Sequence, residues 1–124
     1  MANFRKLHVW QLAHQLTLDL YRVTRRFPRD EQFGLTAQIR RASVSIPANL
    51  AEGSNQSSPS FARYVSMAIG SANELEYLLQ LSNELGLPLH STLSDRATQL
   101  AKMLQGLRSH LTTRGRSRRR TIED

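Results

Sequence analysis

Cysteine is absent from the 124 residues. That excludes a disulfide framework, thiolate zinc sites and a cysteine nucleophile, and it fits a reducing compartment. Long apolar runs are missing too. Nothing approaches the ~20 residues needed to span a bilayer, and Met1-Ala2-Asn3-Phe4-Arg5-Lys6 lacks the apolar stretch that follows the charges of a secretory signal. No membrane association is expected, and the cytoplasm is the expected location.

Catalytic spacing is missing as well. His8, His14, His90 and His110 form no His-x3-His pair around a carboxylate, so no helical metal site is expected. Gly53, Gly70 and Gly86 are isolated, which rules out a glycine-rich phosphate loop, and no serine stands in a nucleophile elbow. Glu52, Glu74, Glu76 and Glu84 read as helix-surface carboxylates. A hydrolase built on Glu52 and Glu74 would lack any positioned nucleophile or metal motif. The expectation is a protein that is not an enzyme and carries no cofactor.

What the chain does have is helical periodicity. Its length suits one domain, and 40% hydrophobic residues is ordinary for a packed protein. Val9, Ala13, Leu16, Leu20, Val23 and Phe27 step by threes and fours along one stripe, until Phe27-Pro28 ends it. Leu35, Ile39, Ala42, Ile46 and Leu50 form a second stripe that stops at Gly53, where glycine can turn left-handed. Pro47 inside this run predicts a kink near Ser43–Pro47, or two shorter helices.

A third stripe runs Phe61, Tyr64, Ala68, Ser71, Leu75, Leu78, Ser82 and Leu85, with Ser58 as N-cap, Pro59 at the first helical position, and Gly86 and Pro88 as the stop. The fourth is Leu93, Ala97, Leu100, Leu104, Leu107 and Leu111, capped by Ser91 or Thr92. No segment alternates with period two, so no sheet is expected. The fold class read from this is all-α, an antiparallel up-down four-helix bundle over residues 1–113. Its helices span about 6–27, 34–53, 59–86 and 91–113. Residues 114–124 form a basic tail with no apolar face, expected to lack fixed structure when free.

Helix one carries a second row, Trp10, His14, Thr17, Tyr21 and Thr24, and helix three has Val65, Ile69 and Tyr77 off its main stripe. A surface helix of a bundle does not need two such faces, so these residues predict an oligomer interface.

Charge is lopsided. Lysine and arginine number 17 against 10 acidic residues, a net +7, and five of the arginines crowd into residues 114–120. A basic surplus favours polyanionic partners. Arg22, Arg25, Arg26 and Arg29 share one helical face, and Arg40 and Arg41 point away from the core stripe of helix two. Together they read as a phosphate-binding patch, because the guanidinium fork gives paired charge-assisted bonds; a plain solvated face would show the same pattern. Arg114, Arg116, Arg118, Arg119 and Arg120 read as a polyanion-binding arm.

The segment Gln38-Ile39-Arg40-Arg41-Ala42-Ser43-Val44-Ser45-Ile46-Pro47-Ala48-Asn49-Leu50-Ala51-Glu52-Gly53 resembles the central motif of the four-helix-bundle family of 23S rRNA intervening-sequence proteins. Trp10, Ala13, Leu16, Tyr21, Thr24, Phe27-Pro28, Glu31 and Phe33-Gly34-Leu35 upstream, and Phe61, Ala68, Gly70-Ser71, Glu74-Leu75 and Leu85-Gly86 downstream, extend the resemblance over roughly residues 7–111. It implies a cytoplasmic bacterial protein, all-helical, assembled as a ring-shaped homopentamer and without enzymatic activity.

The chain is also similar to the accessory variability determinant of diversity-generating retroelements, a basic pentamer that associates with nucleic acid and with a reverse transcriptase. By position, Arg40 and Arg41 match the basic pair of the family motif, and Asn49, Glu52, Ser71 and Glu74 match its polar positions. These four are expected to form a structural polar network between helices two and three, since buried polar groups must find partners. The loop Ser54-Asn55-Gln56 departs from the aromatic or basic residue common in relatives, and the arginine tail is not a core feature of the family.

Two functions compete on this reading. One is a non-enzymatic accessory protein that contacts RNA or DNA phosphates through outward arginines of an oligomeric bundle. The other is a protein-interaction scaffold for a polymerase or ribosome-associated partner, without direct nucleic-acid contact.

Overall fold

A computed structural model describes the backbone of residues 3–123 and the side chains of residues 3–113. Four α-helices carry the chain: α1 (His8–Thr24), α2 (Leu35–Gly53), α3 (Ser58–Glu84) and α4 (Ser91–Glu123). Two short 3-10 turns, Phe4–Lys6 and Arg29–Glu31, complete the described elements, and no strand occurs among the described residues. Each helix packs against the two that flank it, α4 closing back on α1, with no packing across the diagonal. With short connections this is an up-down four-helix bundle.

All four stripes point inward. Ile39, Leu50, Leu75 and Leu104 are fully buried in the core. Val23, Tyr64, Ser71 and Leu107 are only half-buried, and Leu85, just past the end of α3, is exposed. Val65 and Ile69, expected on an oligomer face, are buried in the core instead. The reason is geometric: α3 packs heavily on both α2 and α4, so it needs a wide apolar face rather than one narrow stripe. Tyr77 does face outward.

Helix α1 is shorter than expected at both ends. Phe4–Lys6 is a 3-10 turn whose cap is Asn3, and after Thr24 the chain tightens into turn hydrogen bonds from Arg26 and Phe27 back to Val23 and Thr24. Phe27 stays buried although it lies beyond the helix. The start of α2 has no capping side chain at Gly34. Glu31 substitutes, accepting a hydrogen bond at Oε2 from the Leu35 N–H at 3.2 Å.

Pro47 does not divide α2, which is one helix from Leu35 to Gly53. Proline lacks the N–H that would bond the carbonyl of Ser43, four residues back. The Thr17 hydroxyl of α1 reaches that carbonyl at 3.0 Å while also lying 2.8 Å from the Ala13 carbonyl. The neighbouring helix thus repairs the gap that would otherwise favour a break.

Gly53 is not left-handed; among the described residues only Gly86 has a positive φ, 79°. Gly53 is glycine for space. A Cβ there would lie 2.6 Å from the Cβ of Tyr64 and 2.9 Å from Cδ1 of Phe61, so the end of α2 can approach the start of α3. Gly86 closes α3 with paired bonds, Leu87 N–H to Ser82 O and Gly86 N–H to Asn83 O, both 3.0 Å. The N-cap of α3 is Ser57 rather than Ser58.

The backbone of α4 is helical to Glu123, beyond the end at 113 that the stripe predicts. Leu111 is the last buried residue among those whose side chains are described, and the stripe contains no signal for where the helical backbone stops. The side chains of Arg114, Arg116, Arg118, Arg119 and Arg120, and with them the expected polyanion-binding arm, lie outside the described ones. Among the described residues no helix is long and apolar enough to cross a membrane.

Candidate nucleic-acid interface

The last two turns of α1, the loop before α4 and the first turns of α4 meet at one end of the bundle. Val23 of α1 and Leu93 of α4 both line a cleft there. Arg22, Arg25, Arg26 and Arg29 are all exposed, as expected for a patch turned away from the core. Arg22 and Arg26 line a cleft of about 330 Å³ together with Asp19, Val23, His90, Thr92, Leu93 and Arg96. A second hollow of about 220 Å³ shares Val23, Arg26 and His90 and adds Pro88 and Leu89.

Asp19 organises the cleft. Its Oδ1 accepts from Arg22 and its Oδ2 from Arg96, each at 2.8 Å. The Arg96 contact ties α4 to α1 across a long sequence separation. Burial alone would raise the Asp19 carboxyl, but the hydrogen bond and charge of Arg96, then the hydrogen bond of Gln15 and the charge of Arg22, outweigh it. The group is held below the ordinary carboxylate value of 3.8. Asp19 is therefore charged at neutral pH and holds two guanidiniums at the rim of the cleft.

Arg96 carries no motif in the sequence, and His90 belongs there only to the set of histidines without metal-site spacing. Arg96 stands one position before the stripe residue Ala97, and that adjacency to the α1–α4 seam was the available signal. Nothing in the spacing of His90 distinguishes it from a surface histidine.

Arg40 and Arg41 separate. Arg41 is exposed. Arg40 is half-buried and turned toward α1: Nε donates to Thr24 Oγ1 at 3.0 Å, Nη2 donates to the Tyr21 carbonyl at 3.2 Å, and the guanidinium lies 4.6 Å over the Tyr21 ring. The Tyr21 carbonyl belongs to the last turn of α1, where acceptors lack intrahelical donors and a cation is favourable. The expectation that Arg40 points outward with Arg41 is corrected: its side chain serves the α1–α2 contact.

The second row of α1 also divides. Thr17 is 9% exposed and Thr24 is 3% exposed. Thr17 bonds to α2, and Thr24 donates to the Leu20 carbonyl while accepting from Arg40. Both are removed from the expected oligomer face, because α1 uses that side for α2. Trp10, half-buried, stacks on His14 at 4.8 Å and meets Phe4 edge-on at 5.1 Å. His14 and Tyr21 are exposed.

Of the expected polar network, Asn49 and Ser71 meet through a residue the sequence reading did not include. The hydroxyls of Ser45 and Ser71 lie 2.8 Å apart, joining α2 to α3. Asn49 Nδ2 donates to the Ser45 carbonyl at 2.8 Å and to Ser45 Oγ at 3.1 Å. Glu52 and Glu74 are exposed and contribute no hydrogen bond to this cluster. The position of Ser45, one helical turn before Asn49, was the missed clue.

With this geometry in hand, comparison with known proteins gives one positive result. The family profile described as 23S rRNA-intervening sequence protein matches residues 5–106, a span that holds all of α1 to α3, the basic end and the first half of α4. No curated protein matches the chain.

Proposed function

The chain belongs to the family of 23S rRNA-intervening sequence proteins, and from that premise we propose that it is a non-enzymatic accessory protein of the cytoplasm that binds nucleic-acid phosphates through the basic end of its bundle. The observation that carries this reading is the gathering of Arg22, Arg26 and Arg96 on one cleft, with Arg25 and Arg29, close by in sequence, also exposed. Guanidiniums placed this way neutralise phosphates without reading base edges. The family's link to ribosomal RNA makes RNA the first ligand to test. Self-association as a ring-shaped homopentamer, implied by the resemblance, would present several basic ends at once and raise avidity without new contacts.

The test is binding of a structured RNA at increasing salt, with the mass of the assembly followed by light scattering. Affinity that falls steeply with salt supports phosphate contact. Weak binding at low salt by an intact assembly overturns it.

One observation favours the scaffold reading. Phe33 is 90% exposed in the α1–α2 connection, and an aromatic side chain so placed suits a protein partner such as a reverse transcriptase or another polymerase. Capture of such a partner that survives replacement of Arg22, Arg26 and Arg41 but not of Phe33 would favour it.

A further inference from the structure

We propose that the cleft between α1 and α4 is a pocket for a terminal phosphate, taking the 5′-phosphorylated end of a nucleotide rather than the continuous backbone of a duplex. The inference rests on the nucleic-acid reading above and gives it a specific ligand end.

The first argument is charge. Arg22, Arg26 and Arg96 bring three guanidiniums to the cleft, and Asp19 brings one carboxylate. Two positive charges remain, which matches a phosphomonoester, whose charge at neutral pH lies near minus two. An internal phosphodiester carries a single charge. Asp19 is a positioning residue here. Its two oxygens are each occupied by a guanidinium at 2.8 Å, so Arg22 and Arg96 are held in place before any ligand arrives. Arg26 has no ion-pair partner among the described residues.

The second argument is shape. A hollow of about 330 Å³ sits at the small end of the range for small-molecule sites, large enough for a phosphate with its sugar. Thr92, in the first turn of α4, lines the cleft and adds a hydroxyl to it.

The third argument is the neighbour. The adjoining hollow of about 220 Å³ is floored by Val23, Pro88 and Leu89 and shares Arg26 and His90 with the first. A phosphate in the first hollow places its attached base over an apolar surface beside an imidazole, a setting suited to stacking.

The experiment compares a short single-stranded RNA carrying a 5′-phosphate with its 5′-hydroxyl twin, by fluorescence polarisation from a 3′ label. Adenosine 5′-monophosphate serves as competitor. The phosphorylated strand is expected to bind about tenfold more tightly, the ratio lost with one charge-assisted hydrogen bond at a solvent-exposed site. Arg26→Gln and Arg96→Gln should each erase that preference, whereas Lys102→Gln, exposed on α4, should leave it intact. Arg26→Gln breaks no hydrogen bond of the fold, so it remains informative if Arg96→Gln is poorly folded. Competition by the monophosphate would support the pocket and identify a free nucleotide as a sufficient ligand. Preference without competition would support it with a strand end as the ligand. Equal binding of the two strands overturns the pocket while leaving phosphate binding by the surface standing. No binding of either strand or of the monophosphate overturns the pocket, and the structured-RNA titration above decides the broader phosphate reading separately.

Discussion

The Thr17 hydroxyl on α1 donates to the Ser43 carbonyl on α2 at 3.0 Å, and Ser43 is the residue whose carbonyl Pro47 leaves without its helical donor. A defect in one helix is thereby converted into a contact between two. Thr17→Val keeps the shape and removes the donor, leaving a buried acceptor unpaired. The expected loss is about 1–3 kcal/mol, read as a lower midpoint in urea denaturation. Pro47→Ala supplies an N–H to the same carbonyl, so Thr17→Val should cost less in that background. Equal costs in the two backgrounds would show that the Thr17–Ser43 bond does not compensate for the proline.

Two glycines should respond in opposite directions. At Gly53 a Cβ would sit 2.6 Å from the Tyr64 Cβ, a distance that forces α2 and α3 apart. Gly53→Ala is expected to destabilise the fold by about 1–3 kcal/mol, the usual range for overpacking. Gly70 lies exposed in the middle of α3 with nothing within 4 Å of an added Cβ. Gly70→Ala should therefore stabilise by about 0.5–1 kcal/mol through helix propensity alone. Thermal melts of the two variants check both signs.

The stripes were legible because burial leaves a period in the sequence: Val9 to Phe27, Leu35 to Leu50 and Leu93 to Leu111 all mark the side of the helix that faces the core. The width of the buried face was less legible. Whether Val65 and Ile69 are core depends on how many neighbours α3 has, and that is a property of the assembled bundle. Polar side chains were the least legible. Arg40 and Arg41 stand next to each other, and only the 100° step between them turns one toward Tyr21 and leaves the other in solvent. Thr17 and Thr24 read as part of an oligomer face because they repeat with Trp10, His14 and Tyr21 off the core stripe, yet a hydroxyl that bonds its own helix carbonyl can be buried at little cost. Arg96 was hidden because its partner Asp19 lies on another helix, far away in sequence.

Acid should loosen the junction of α1 with α4. The folded-state Asp19 carboxyl is held below 3.8, so its contribution to stability is present in full above that value and is lost as pH falls through the lower folded one. The side chain is partly exposed, so solvent screening limits the effect to about 1 kcal/mol or less. Asp19→Asn should remove this part of the acid dependence while leaving the rest. Urea midpoints of the two proteins, measured from neutral pH downward, should converge at the acid end. A constant gap at every pH would mean that the carboxylate charge is not what stabilises the contact.

Arg40 and Arg41 give the sharpest separation of structure from binding. Arg40→Gln loses the bonds to Thr24 and to the Tyr21 carbonyl, together with the stacking over the Tyr21 ring. An effect on stability of about 1–2 kcal/mol follows from a charge-assisted bond and a cation–π contact at a half-buried site. Arg41→Gln removes an exposed charge and should leave the urea midpoint within about 0.5 kcal/mol of the parent. If Arg41 contacts a phosphate, the same change should flatten the salt dependence of RNA affinity by about one charge. A loss of stability in Arg41→Gln with none in Arg40→Gln would reverse the assignment of the pair and remove Arg40 from the α1–α2 contact.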